Sequence, residues 1–517
     1  MRPRWVLAAV VPVALLAACG GATATGTSAV SGEGPRRGGD LVVARAADSP
    51  QFDPLSDNES IWVWDNVVET LYTNAPDGKE PKPWLATGYT LSPDKRTWTF
   101  ALRKGVAFST GTPVTAADVK FSLDRARDPK GPWAFIDAAI DRVDAPDPGT
   151  VVVHTKYPWA PLLADLALAD NGVIPKDYAG QARKDFFEHP IGTGPFRWSS
   201  WTKGSELRLV RNEHYWQPGK PYLDSVTWKV VPDDQTRLLQ LRGGQAQVDE
   251  FPPFSAVKSL QSTPNVRMDL FQGTGLDYLT PNFARKPWDD VHARRALSLA
   301  VDRDALVRAV YFGNAKAANS LFMPTLPFYD ASAPGGRYDV EQAKAELARS
   351  SVPQGFSFEF LYASGSRTQT TIAQLVQSDL AKIGVKVALK GVEQNALYDL
   401  WSKGQYDVAV VNWTMDILDP DEWVSFAVDA EAGGANAAYT GYRNPDVVRL
   451  ARAAQRETDP ARRADVYRRL QAATADDAHM VYLAYLPFPY ASSTSVHGFT
   501  VYPTGNYHLE DVWLGTP

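Results

Sequence analysis

Between Gly355 and Trp413 the spacing of apolar positions changes period several times. Phe356, Phe358 and Phe360 alternate with Ser357 and Glu359, which is a strand period, whereas Ile372, Leu375, Val376, Leu380 and Ile383 recur along one face of a helix. Gly384 stops that helix. Val385, Val387 and Leu389 then alternate with Lys386 and Lys390 as a second strand, Ala396 to Lys403 reads as a short helix ended by Gly404, and Tyr406 to Val411 is a strand apolar on both faces. The pattern predicts a βαβαβ unit, and its double-sided last strand implies an α/β fold with a parallel sheet covered by helices.

A similar unit lies earlier. Val226, Trp228 and Val230 alternate, a polar-started helix carries Leu238, Leu239 and Leu241, and Gly243-Gly244 precede a strand at Ala246 to Val248. Two sheets in two lobes are therefore expected. Phe271 to Phe283 and Val481 to Ala491 are extended segments that read as crossover strands, and two crossovers make a hinge on which two lobes close over a ligand. Ligands of open α/β sheets gather outside the carboxyl ends of the strands, which directs attention to Asn412 to Pro420 and to Asp249 to Pro253.

The amino terminus has a different character. Arg2 and Arg4 precede an apolar run from Val6 to Ala18, the layout of an export signal and too short to span a bilayer stably. It ends Leu16-Ala17-Ala18-Cys19-Gly20, which resembles the lipobox of bacterial lipoproteins and would make the only cysteine, Cys19, a lipid anchor. Residues 20 to 38 hold Gly, Ala, Thr and Ser without an aromatic residue and read as a flexible tether. The expected location is extracytoplasmic, at the outer face of the cell membrane.

Composition narrows the function further. The 517 residues are too many for a single compact core, and 53 Lys and Arg against 59 Asp and Glu leave a net charge of −6, which offers no footprint for nucleic acid. One cysteine excludes an internal disulfide, and seven histidines without His-x-x-x-His or His-x-His spacing offer no local metal site. No G-x-S-x-G elbow occurs, so an enzyme is not expected, and neither is a cofactor. The glycines of PIGTGPF, from Pro190, lack a following lysine at phosphate-loop spacing and read as a turn.

From Tyr89 to Leu123 the chain reads YTLSPDKRTWTFALRKGVAFSTGTPVTAADVKFSL, a hairpin with a Ser-Pro-Asp turn followed by a helix capped by Thr115 and Asp118. This stretch resembles the signature of the family 5 solute-binding proteins, the peptide, oligopeptide and nickel receptors of ABC importers. GGDLVVARAADSPQFDP, PIGTGPFRW, WDDVHARRALSLAVDRDALV and NWTMDILDPDEW follow in the family's order, so the resemblance covers about residue 38 to 517. It implies the two-lobed periplasmic-binding-protein fold of the large (cluster C) type, with two hinge crossovers. The corresponding division is a signal peptide at 1–18, a linker at 19–38, lobe I at 39–272 with an extra subdomain inserted at about 65–185, lobe II at 273–489, and a return to lobe I at 490–517. The implied partners are a short peptide, the permease subunits of an ABC importer and, through Cys19, the membrane, with the receptor itself a monomer. An oligosaccharide or a metal chelate such as a nickel complex as cargo, or a sensory lipoprotein, are the alternatives.

Asn412, Trp413, Thr414 and Asp416 sit at the carboxyl end of the double-sided strand and offer an aromatic plane, backbone groups and a carboxylate. The main chain of a peptide can pair there as an added strand, while its ammonium needs a desolvated counter-charge. In peptide-binding members the carboxylate that holds the ligand's amino terminus lies in a W-x-x-D pattern, and Asp416 matches it. Met415 and Ile417 depart from the family's usual small and aromatic residues, which implies a bulkier, more apolar rim. Arg367 is a candidate for the ligand's carboxylate, and Asp48 and Ser49 correspond to a region that faces ligand in relatives.

Overall fold

Strand β1 (Asp40–Arg45) opens the body of the protein, buries Leu41 and Val43, and pairs in parallel with two strands that arrive much later in sequence. The computed structural model describes residues 34–56, 61–129, 131, 133–433 and 435–516, and residues 35–517 form one compact unit. The expected signal peptide, Cys19 and most of the expected tether lie outside the described residues. No helix among the described residues is long and apolar enough to cross a membrane.

After α1 (Ile61–Val67) come β2 (Ala86–Leu91), β3 (Thr97–Leu102), α2 (Ala116–Ala126), β4 (Ile140–Asp147) and β5 (Thr150–Thr155). The four strands form a separate antiparallel sheet in the order β2-β3-β5-β4. Helix α2 starts as its sequence predicts: the Thr115 amide donates to Asp118 Oδ2 at 2.8 Å, and Val119, Leu123 and Ala126 are buried. Trp98, Phe100, Val143, Val151 and Val153 fill the core beneath it.

The main sheet is built from β6 (Phe196–Thr202), β7 (Glu206–Arg211), β8 (Ser225–Val230), β9 (Val248–Glu250), β10 (Val266–Pro281), β11 (Ser357–Ala363), β12 (Lys386–Val392), β13 (Val408–Trp413) and β14 (Val481–Ser493), together with β1. Helix α3 (Asp234–Arg242) joins β8 to β9, α4 (Arg367–Ala381) joins β11 to β12, and α5 (Gln394–Ser402) joins β12 to β13. Both βαβ units expected from the sequence are thus present, and β11 pairs in parallel with β12 and with β13. Gly384 and Gly404, at φ of 81° and 64°, provide the left-handed turns that end the two helical segments.

The expectation of two sheets is corrected. The strand order is β12-β11-β13-β10-β14-β9-β1-β8-β7-β6, one hydrogen-bonded path through both units. The cause is the length of the crossovers: the sixteen residues of β10 and the thirteen of β14 pair antiparallel, β10 reaches β13 through Leu276 to Pro281, and β14 reaches β9 through Tyr490 to Ser492. Their register slips between Gln272 and Gly275, at the seam of the two halves. There Thr274 Oγ1 donates to Pro503 O at 2.9 Å and accepts from the Met415 amide at 3.2 Å, which ties the seam to the loop after β13.

The strand predicted to be apolar on both faces is so. Val408 and Val410 enter one core with Phe358, Phe360 and Leu483, while Ala409 and Val411 enter another with Leu276, Tyr278 and Tyr482. A third core joins Leu41, Val43, Trp62 and Trp228 to Phe499, Tyr507 and Leu509, so the chain's last segment packs back on the first half. The glycines of PIGTGPF form a tight passage rather than a ligand loop: a Cβ on Gly192 would lie 2.0 Å from Val67 O.

Candidate functional site

Three strands of the sheet, β1, β9 and β13, deliver their carboxyl ends to one cavity of about 350 Å³. Arg45 ends β1, Glu250 and Phe251 end β9, and Asn412, Trp413, Thr414 and Asp416 follow along β13 and its loop. Trp62 of α1 and the rings of Phe488 and Tyr490 on β14 complete the apolar wall. Both segments singled out by strand-end reasoning therefore line the same space. Its size falls at the lower end of small-molecule sites, and its composition, aromatic with a few convergent charges, is typical of them.

The wall after β13 is held from beneath by Glu422 in α6 (Asp421–Ala427), a carboxylate with no exposed surface. Its Oε1 accepts from Trp413 Nε1 at 2.9 Å, and its Oε2 accepts from the amides of Asp416 at 2.8 Å and Ile417 at 2.9 Å. Trp413 also stacks on Phe426, centroids 4.1 Å apart. These bonds fix the half-buried Asp416, whose Oδ2 accepts from Trp133 Nε1 at 2.7 Å. Burial pushes the Glu422 carboxyl well up, and the negative charge of Asp416 beside it adds to the rise.

A second charged group lines the same cavity. Arg45 lies flat on the Trp62 ring, 3.4 Å from the centroid, with its Nε 3.4 Å from Glu250 Oε2. Glu250 is 2 % exposed, accepts the Tyr507 hydroxyl, and is pushed up chiefly by burial. Phe251 stands beside it in a left-handed conformation, φ 55°, 45 % exposed, with its ring centroid 6.0 Å from that of Phe488 and 5.2 Å from that of Tyr490.

The remaining sequence candidates go elsewhere. Asp48 Oδ2 accepts from Trp201 Nε1 at 3.0 Å and from the Gly204 amide at 2.7 Å, so its carboxylate pins the β6–β7 turn. Ser49 is buried beside it, and neither residue lines the cavity. Arg367 is the exposed first residue of α4 and likewise is not among the lining residues. Sequence reasoning missed Arg45, Glu250, Phe251 and Trp62 as named residues. A signal for Arg45 was present: it shares the strand face of Leu41 and Val43, and a charge on an apolar face at a carboxyl strand end has few structural reasons to be there.

Behind the cavity the two halves meet. Ile417 inserts among Trp133, Ile136, Ala164 and Leu168, and the Ala160 amide donates to Gln455 O at 2.8 Å. Buried carboxylates gather at this contact. Asp165 accepts from Trp159 Nε1 at 2.5 Å and is pushed far up by burial and by the charges of Asp137 and Asp421. Asp137, Asp170 and Asp421 are each pushed up to about 7, in every case mainly by burial. Asp419 is compensated by the Arg463 fork at 2.6 and 2.7 Å. No group of three or more metal-ligating side chains occurs among the described residues.

Comparison with known proteins places this architecture. Residues 80–434 match the family described as "Bacterial extracellular solute-binding proteins, family 5 Middle". The chain is similar to the "Probable D,D-dipeptide-binding periplasmic protein DdpA" of Escherichia coli strain K12, 31% identical over 477 residues that make up 90% of this chain and 92% of that one. It is also similar to the "Dipeptide-binding protein" of the same organism, 30% identical over 461 residues, 83% and 85% of the two chains. Among solved structures, the Helicobacter pylori "ABC transporter-associated periplasmic binding protein DppA", in complex with the peptide STSA, superposes with a TM-score of 0.80 at 29% identity, covering 93% of this chain and 99% of that one. The fold is the two-lobed periplasmic-binding-protein fold of the large type, in which β10 and β14 are the hinge crossovers. The chain belongs to the family 5 bacterial extracellular solute-binding proteins.

Proposed function

We propose that the protein captures a short peptide between its two lobes and delivers it to the permease of an ABC importer. The observation that carries this reading is the placement of Asp416: a half-buried carboxylate, positioned by Glu422, next to the Trp413 ring in the cavity between the carboxyl strand ends. In that setting a peptide ammonium gains a charge-assisted bond away from bulk water. Asn412 and Thr414, both exposed at the end of β13, supply main-chain and side-chain groups to the peptide backbone. The dipeptide-binding and peptide-bound relatives support the same cargo class. Anchoring through Cys19 completes the reading, with the receptor working as a monomer at the outer face of the membrane.

Peptide titrations test it. Asp416→Ala should weaken binding of a free peptide by about 2–5 kcal/mol, the range for stripping one member of a desolvated charge pair, and N-acetylation of the peptide should cost a comparable amount. If both changes leave affinity intact, the ammonium reading fails. A ligand such as an oligosaccharide, resting on the aromatic wall alone, would be indifferent to both.

A further inference from the structure

The cavity holds a cation for which the peptide-ammonium reading has no use. Among the described residues, the Arg45 side chain makes no hydrogen bond: Nε and Nη1 are buried without a partner, and the Glu250 carboxylate stands off at 3.4 Å. Other buried arginines of this protein behave differently. Arg237 donates to Asp249, Asp234 and the carbonyls of Val231 and Pro232 at 2.7 to 3.2 Å. Arg303 donates to the carbonyls of Tyr482, Ser298, Val301 and Gly335, and Arg463 to Asp419 through both arms. Arg125 also leaves two nitrogens unpaired, yet it holds Asp53 at 2.6 Å. A guanidinium placed for structure alone satisfies its donors, because a buried unpaired N–H is costly.

Arg45 is instead held in place by packing. The Trp62 face lies against it at 3.4 Å, and Trp62 is itself fixed edge-on to Trp228. The 14 % of the side chain that remains exposed faces the cavity it lines, and Nη2 is the nitrogen left accessible. A fork with five donors and one distant acceptor has room for a second, anionic acceptor. Glu250 offers it only Oε2, at 3.4 Å, while its Oε1 is engaged by the Tyr507 hydroxyl.

We infer that Arg45 binds the carboxylate terminus of the ligand, so that the cavity selects a free dipeptide-sized zwitterion spanning Asp416 and Arg45. The inference rests on the peptide reading above and adds the second terminus and the length. Asp416 and Arg45 line the same space of about 350 Å³, near the lower end of small-molecule sites, which favours a short ligand. Asp416 reads the ammonium, Arg45 reads the carboxylate, and the rings of Phe251, Trp413 and Tyr490 cover the side chains.

The test uses the full chain, stripped of co-purified ligand, and titrates alanyl-phenylalanine, its C-terminal amide, its N-acetyl derivative and a tetrapeptide of alanines ending in phenylalanine. Amidation should weaken binding to the wild type by at least about tenfold, and so should Arg45→Gln with the free dipeptide. The two losses should not add: in Arg45→Gln the acid and the amide should bind within about threefold of each other, the mark of a shared interaction. Arg45→Lys should recover part of the preference for the acid. The tetrapeptide should bind more weakly than the dipeptide. Amidation without effect on the wild type, while acetylation still abolishes binding, overturns the Arg45 inference and leaves the ammonium reading standing. Tetrapeptide binding equal to dipeptide binding overturns the length assignment. Failure of all four to bind overturns both readings. Because amidation alters only the ligand, the result survives any loss of stability in the Arg45 variants.

Discussion

Glu422→Ala probes how the binding wall is built without touching a group assigned to the ligand. The carboxylate takes three donors, Trp413 Nε1 and the amides of Asp416 and Ile417, all within 2.9 Å and beneath the surface. Removing it leaves one buried and two partly buried N–H groups unanswered, at up to about 1–3 kcal/mol each. Against that stands the relief of a buried acid whose ionisation is already opposed by its surroundings. The net expectation is a loss of about 3 kcal/mol or more, near the upper part of what single substitutions do. The loop that carries Asp416 also loses two of its anchors, so affinity for a free dipeptide should fall together with stability. Glu422→Gln should be milder. Its remaining carbonyl oxygen can face the two amides while its amide group meets the Trp413 indole, which trades one donor contact for a clash and costs about 1–3 kcal/mol. Calorimetric melting and peptide titration of the two variants give the order directly. An Ala variant that melts with the wild type and binds peptide unchanged would refute the claim that Glu422 positions this wall.

The carboxylates at the lobe contact make stability depend on pH with a definite sign. Asp137, Asp170 and Asp421 have folded values raised to about 7 from 3.8, so their contribution is complete below about pH 4 and is lost as pH rises toward 7, at about 1.4 kcal/mol per pH unit for each titrating group. His479, lowered to about 4 by burial, acts in the opposite sense between about 4 and 6.5, but it is one group against several. The melting temperature at about pH 6 should therefore exceed that at about pH 8, and a flat or inverted profile sinks this account. Gly192→Ala should fail to give a stably folded protein, because its Cβ would meet the Val67 carbonyl oxygen at 2.0 Å where backbone cannot yield; a variant with a melting curve like the wild type refutes it.

Much of the fold was legible because local patterns and global structure agree. The helix α4 followed from five apolar residues on one face and a glycine stop, α2 from its Thr115–Asp118 cap, and the double-sided β13 from an uninterrupted apolar run. The extended character of β10 and β14 was legible too, yet their pairing was not. Pairing between segments some two hundred residues apart leaves no period in either one, so two sheets were expected where one continuous path exists. The slip between Gln272 and Gly275, which marks the seam, is a property of the pair and of neither strand alone.

The site shows the same division at the scale of single residues. Strand-end reasoning reached two loops that line one cavity, because the carboxyl ends of parallel strands converge whatever their side chains are. Choosing residues within a loop needs the direction of each side chain, and that is set by strand parity and by what competes for the group. Asp48 has the right chemistry three positions after Arg45, but the Trp201 indole and the Gly204 amide claim its carboxylate. Arg45 has the parity of Leu41 and Val43, so it points where they point, and at the strand end that direction leads out of the core and into the cavity. Trp62 then holds a guanidinium that makes no hydrogen bond among the described residues, with the Glu250 carboxylate standing off at 3.4 Å. A residue held firmly and left unsatisfied stores binding capacity rather than stability. That combination, visible only once burial and hydrogen bonding are counted together, separates the groups that await a ligand from those that complete the fold.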